Sequence, residues 1–139
     1  MTMTPEENKH VVETLLTAFS EFDAETAERV LAPDFVNHDP PQLPGVGTDR
    51  AGVLAAMRYL HGAFAGARAE LVSILAAGDK IAVHDRLRGT HRGEFLGIAA
   101  TGRDIDVDFI HIFRVVDGRV VERWGVADTT TLLEQLGAA

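Results

Sequence analysis

The chain has 139 residues, 13 Lys and Arg against 21 Asp and Glu, and no cysteine, for a formal net charge of -8. That balance argues against nucleic acid and anionic membrane surfaces as partners, and the missing thiols exclude disulfides, thiolate metal sites and cysteine nucleophiles. An apolar fraction of 46% suits an ordinary soluble domain, no apolar run approaches the roughly 18 residues of a membrane span, and the polar MTMTPEENKH start lacks a signal-peptide core. The expectation is one cytoplasmic domain over 1–139, with a core that needs no disulfide or metal.

Thr4-Pro5-Glu6-Glu7 has the composition of a helix start, with a cap, a first-turn proline and acids near the positive dipole end. Val11, Val12, Leu15, Leu16, Phe19 and Phe22 then mark one amphipathic face. A shorter helix follows to about Leu31, burying Ala27 and Val30, and Pro33 ends it. Phe35-Val36 is a brief extended piece, and Asn37-His38-Asp39-Pro40-Pro41 opens a loop through Gly47. Asp49 caps a third helix from Arg50 to about Phe64, with Val53, Leu54, Met57, Leu60 and Phe64 inward.

From Arg68 the apolar period becomes two. Strands are expected at 68–76, 79–90, 104–116 and 119–127, turning at Gly78-Asp79 and Asp117-Gly118, with a last helical turn or two from Thr129 to Leu136. Three helices ahead of a four-stranded antiparallel meander make an α+β domain. A sheet that curls around those helices leaves room for a conical pocket.

Register in the last hairpin carries the functional reading. With a two-residue turn at Asp117-Gly118, His111 opposes Trp124, Phe109 opposes Val126 and Val107 opposes Asp128. An imidazole, an indole and a carboxylate then share the face of Ile105, Val107, Phe113 and Val115. A buried sheet face rarely carries such groups unless they pair or line a cavity. His111 and Asp128 stand four residues out of step in that ladder, about 13 Å along the sheet, so they would act on opposite ends of one ligand.

Several segments, in this order and spacing, resemble the SnoaL-like polyketide cyclases of the NTF2-like superfamily: Ala32-Pro33-Asp34-Phe35-Val36-Asn37-His38-Asp39-Pro40, Gly89-Thr90-His91-Arg92-Gly93-Glu94-Phe95-Leu96-Gly97-Ile98, Thr101-Gly102-Arg103, Phe113-Arg114-Val115-Val116-Asp117-Gly118 and Leu132-Leu133-Glu134-Gln135-Leu136-Gly137. The resemblance spans nearly the whole chain. It implies a cone-shaped α+β barrel, with three N-terminal helices packed on a curved antiparallel sheet. It also implies an acid/base enzyme, without cofactor or metal, that closes a ring in a hydrophobic carbonyl substrate by intramolecular aldol condensation. The same scaffold hosts isomerases, epoxide hydrolases and non-catalytic small-molecule binders, which stay open as alternatives.

Carried over by position, the family's strand histidine falls on His111 and an active-site asparagine on Asn37. A glutamine two residues before that histidine is Phe109 here. The family's acid/base aspartate lands on Gly125, and only a second aspartate is matched, by Asp128. Asp128 is therefore the expected proton carrier, its pKa raised if the face is dry; it also heads Thr129-Thr130-Thr131 as a helix cap. His111 is either a donor to a substrate carbonyl or a neutral core histidine. Asn37 is a substrate hydrogen-bonder, and His38 a second base or part of an Asx turn. Trp124 is a ligand wall or core, and Phe95, with Leu96 and Ile98, belongs to a flap closing the pocket.

Asp85 alternates with Ile81, Val83 and Leu87, so it faces inward, with an arginine on an adjacent strand as its expected partner. His61 borders solvent, His84 lies on the outer face and His10 on the surface. His38, His111 and Asp128 could form a two-His-one-carboxylate set, though no ligand spacing marks one. Ser20 and Ser73, the only serines, occupy no nucleophile elbow. The outer sheet face leaves Ile110, Ile112 and Val121 apolar, which predicts a homodimer or larger homo-oligomer.

Overall fold

The computed structural model describes residues 3–138. Helix α1 spans Pro5–Ser20, and its start is closed by a reciprocal capping box: the Glu7 amide donates to Thr4 Oγ1 and the Thr4 amide to Glu7 Oε1. Asp23 caps α2, Ala24–Val30, and Asp49 caps α3, Arg50–Ala63. Strand β1 is Leu31–Asn37, β2 Phe64–Ala77, β3 Lys80–His91, β4 Asp104–Val116 and β5 Arg119–Ala127; α4, Thr129–Gln135, closes the order.

The sheet has five strands in the order β1-β5-β4-β3-β2. It is mixed, because β1 runs parallel to β5 while the other neighbours are antiparallel. This corrects the expectation of a four-stranded antiparallel meander. The stretch around Phe35-Val36 is a full edge strand interposed between α2 and α3. Leu31, Ala32, Phe35 and Asn37 are buried, and pairing removes the open edge that β5 would otherwise present.

Helices α1 and α3 pack against β2, α3 also against β1, and α4 against β4. One buried cluster joins Val12, Leu31, Phe35, Met57 and Val115; a second joins Phe64, Leu87, Phe95, Val107 and Leu132. Loop 38–49 is pinned by a close approach: a Cβ at Gly52 would lie 2.3 Å from the Gly47 carbonyl oxygen. Asp49 Oδ1 accepts from the Gly52 amide at 2.9 Å, so one cap orders both the loop and the helix beneath it. Asp49→Ala is expected to cost about 1 kcal/mol in urea denaturation, and Asp49→Asn much less. Equal losses in the two variants would remove the cap from this account.

The last hairpin turns at Asp117-Gly118 as expected, and Val116 pairs with Arg119 and Val115 with Val120. A bulge follows. Arg114 pairs with Glu122 rather than Val121, and from there Phe113 faces Arg123, Ile112 faces Trp124 and His111 faces Gly125. Because side chains alternate with period two, one extra residue turns the rest of β5 over. The expected pairing of His111 with Trp124, Phe109 with Val126 and Val107 with Asp128 is therefore corrected by one position. Trp124 and Val126 go to the outer face, and Arg123 and Gly125 come in.

Candidate functional site

Between the two clusters lies a partly open cavity of about 150 Å³. Its wall is apolar over most of its extent, with Leu15, Phe19, Leu31, Phe35, Met57 and Phe113 among the lining residues. Four polar side chains interrupt that wall: Asn37, Asp85, His111 and Arg123. They come from four different strands and form one connected chain.

Asp85 lies on β3, 4% exposed, in the inward series Ile81, Val83, Asp85, Leu87. Its Oδ1 is 3.0 Å from His111 Nε2. Arg123 Nε donates to His111 Nδ1 at 2.9 Å. Arg123 Nη1 donates to Asn37 Oδ1 at 3.1 Å and to the Asp39 carbonyl at 2.9 Å. Asp39 returns to the sheet, its Oδ2 accepting from the Gly125 amide at 3.0 Å. The wall thus runs without a break from a buried carboxylate to the loop at the cavity rim.

Arginine has no acceptor, so its contact requires a lone pair on His111 Nδ1. The ring is then the neutral Nε2–H tautomer and donates to Asp85. Burial pushes the His111 pKa below its ordinary value; the Asp85 carboxylate opposes that shift and the Arg123 cation adds to it. Burial also lowers the pKa of Arg123, against the pull of Asp39 and Asp85, and the guanidinium stays charged at neutral pH.

The sign of the His111 shift fixes a pH dependence of stability. In the unfolded chain the ring titrates near 6.5, above its value in the fold. The unfolded state therefore takes up the proton first as pH falls, and stability from this group is complete above about 6.5 and lost below it. His111→Gln is expected to flatten the slope of unfolding free energy against pH just below about 6.5. Identical slopes in the two proteins would contradict a neutral buried ring.

The other expected residues lie elsewhere. Asp128 is exposed and caps α4, its Oδ1 accepting from the Thr131 amide at 3.1 Å and its Oδ2 from Thr131 Oγ1 at 2.6 Å. Those two bonds lower its pKa, opposite to the rise expected of a carboxylate in a dry pocket. Trp124 stands on the outer face with Lys80 Nζ 5.3 Å from its ring centroid. His38 stacks on that indole at 4.8 Å and reaches Glu122 at 2.7 Å, away from the cavity. Phe95 is buried against Phe64 and Tyr59 in the second cluster and does not line the cavity. His61, expected at the solvent border, is half-buried, bonded to the Phe19 carbonyl and stacked on Phe22.

Phe109, His111 and Asn37 do line the cavity, and Phe109 stacks on the imidazole with centroids 5.7 Å apart. Asp85 faces inward as its alternation predicts, but its direct partner is His111 rather than an arginine. Arg123 escaped the sequence reading because the bulge hides its face. His38, His111 and Asp128 do not converge as a metal set, since only His111 lines the cavity.

The hollow between helices and a mixed sheet is thus apolar over most of its wall, with one continuous polar strip, the usual make-up of a small-molecule pocket. The chain belongs to the SnoaL-like polyketide cyclase family, whose profile matches residues 9–136. It is similar to the nogalonic acid methyl ester cyclase of Streptomyces nogalater, at 26% identity over 125 residues, covering 88% of this chain and 92% of that one. Among solved structures it is similar to IdmH, a candidate polyketide cyclase of Streptomyces antibioticus, at 35% identity and a TM-score of 0.82 over 94% of this chain and 98% of that one. TsrD of Streptomyces laurentii superposes with a TM-score of 0.87 at 28% identity, over 99% of both chains.

Proposed function

We propose that this chain is a cyclase that closes a ring in a polyketide-type carbonyl compound by intramolecular aldol condensation, using its own side chains as acid and base. The observation that carries the reading is the buried Asp85–His111 pair, bonded at 3.0 Å on the wall of an apolar cavity.

Such a reaction needs a base beside an activated C–H and a donor beside the oxygen that becomes negative. Asp85 is the base in this reading. His111, with Nδ1 occupied by Arg123, cannot accept a proton there and serves as donor through Nε2. Asp85 takes the proton from the methylene between two carbonyls, and the C–H electron pair becomes the enolate. His111 Nε2–H turns to the enolate oxygen. The enolate carbon attacks the second carbonyl, a C–C bond forms, and the resulting alkoxide recovers the proton held on Asp85. Protons balance and no electrons are exchanged with a partner. Asn37 and Phe109 contact the substrate on either side of the imidazole, and the remaining wall holds its apolar body.

Nogalonic acid methyl ester, named for the relative's reaction, is a suitable first probe. Cyclised product from the wild type, lost in Asp85→Asn and retained in Asp128→Asn, is the expected pattern. Turnover indistinguishable between wild type and Asp85→Asn would overturn the assignment of the base.

A further inference from the structure

We infer that Arg123 is a positioning residue: it locks His111 in the Nε2–H tautomer, and Gly125 is the residue that admits it. The inference rests on the cyclase reading for its catalytic meaning, though not for its test.

The geometry is over-determined. The Arg123 guanidinium is held by acceptors on three sides, His111 Nδ1, Asn37 Oδ1 and the Asp39 carbonyl. A Cβ at position 125 would lie 2.5 Å from Arg123 Nη2 and 2.8 Å from the Ile110 carbonyl oxygen. The guanidinium therefore lies over a backbone that carries no side chain, and any other residue there would push it away. Once seated, its Nε–H consumes the only lone pair of the neutral ring, so the ring proton has one place left, on Nε2 toward Asp85.

The charges around the imidazole are few. Asp85 faces it from β3 and Arg123 from β5, with Asp39 behind the guanidinium on the rim loop. Helices α1 and α3 bring Leu15, Phe19, Met57 and Leu60 to the cavity, and none of these titrates. Without Arg123, burial still opposes proton uptake by the ring, but the cation's share of that opposition is gone and the pull of Asp85 is not, so the balance moves toward an imidazolium facing a carboxylate. A carboxylate facing an imidazolium is a poorer base. Arg123 thus keeps the ring neutral and His111 a donor through Nε2.

The test reads the ring directly by nitrogen NMR of 15N-labelled protein, with His111→Gln to assign the signal, and needs no substrate. In the wild type, Nδ1 should give the unprotonated shift and Nε2 the protonated one at neutral pH. In Arg123→Gln the His111 titration midpoint, followed on the same ring signals, should move up. Arg123→Lys, which keeps the charge and loses the fork, should recover part of that shift. A wild-type ring protonated on Nδ1, or a midpoint unmoved in folded Arg123→Gln, would overturn the inference. Should Arg123→Gln not fold, the wild-type tautomer decides alone. An absent cyclase activity beside the expected tautomer would sink the functional reading and leave this one standing.

Discussion

Asp85→Asn is expected to lower kcat by about 10²–10⁴-fold, the usual size of a lost general base, while affinity for a substrate analogue changes only a few-fold. The carboxamide has nearly the carboxylate's shape, and its oxygen can still accept from His111 Nε2, now at 3.0 Å. What it cannot do is take a proton. The cavity, its apolar lining and the Arg123 contacts should survive, so the loss falls on kcat rather than KM. Asp128→Asn is the matched control. Asparagine caps helices as well as aspartate does, and position 128 lies outside the cavity, so both stability and turnover should stay at wild-type level. Steady-state cyclisation kinetics with fluorescence titration of an analogue separate these effects. A fall confined to KM in Asp85→Asn would make Asp85 a binding group instead.

That control is informative because aspartates 85 and 128 read so differently along the chain. The helix caps at Thr4 and Asp49, the Asp117-Gly118 turn and the period-two strands are local signals. Each depends on residues within a few positions of one another, and the helices and the four antiparallel strands followed from them. Asp85 was also legible, since its neighbours two residues away are Val83 and Leu87 and all three share the buried face. Its partner was not. The choice between an arginine and His111 depends on which diagonal of the sheet closes, and alternation does not encode a diagonal.

The misplacement of Trp124 and Asp128 has one physical source. Val120-Val121-Glu122 offers two adjacent valines, either of which could face the core. The fold buries Val120 and lets Val121 bulge. A bulge shifts one residue, and no composition cue marked it, yet it decided the face of every side chain after it. The extended piece at Phe35-Val36 is legible, but its place in the sheet as the edge strand β1 is hidden for a different reason. It pairs in parallel with β5, Asn37 beside Arg123, across more than half the chain. Pairing that remote leaves no trace in local spacing. The same pairing brings Asn37 and Arg123 together, so the two hidden features assembled the polar wall between them.

Gly125→Asp puts that wall to its hardest trial. By alignment it would place an aspartate where the family's acid/base aspartate falls, and simple analogy would expect a gain. The geometry says the opposite. The new Cβ would meet Arg123 Nη2 at 2.5 Å and the Ile110 carbonyl oxygen at 2.8 Å. The side chain could give way but the backbone oxygen could not, and overpacking of this kind costs about 1–3 kcal/mol. Expelling the guanidinium also breaks its bonds to Asn37 Oδ1 and His111 Nδ1, and hydrogen bonds to a charged group contribute about 1.5–3 kcal/mol each. A destabilisation of roughly 3 kcal/mol or more is expected, with turnover lowered by at least about 100-fold because the imidazole loses its fixed tautomer. The two sites should couple. In a double-mutant cycle with Arg123→Ala, the pair should be less destabilised than the sum of the singles, since removing the guanidinium takes away half the clash. The Ile110 contact remains in either background and sets the cost that the second substitution cannot relieve. Strict additivity would mean that Arg123 does not occupy the space above Gly125, and a Gly125→Asp protein that outpaced the wild type would move the base from β3 to β5.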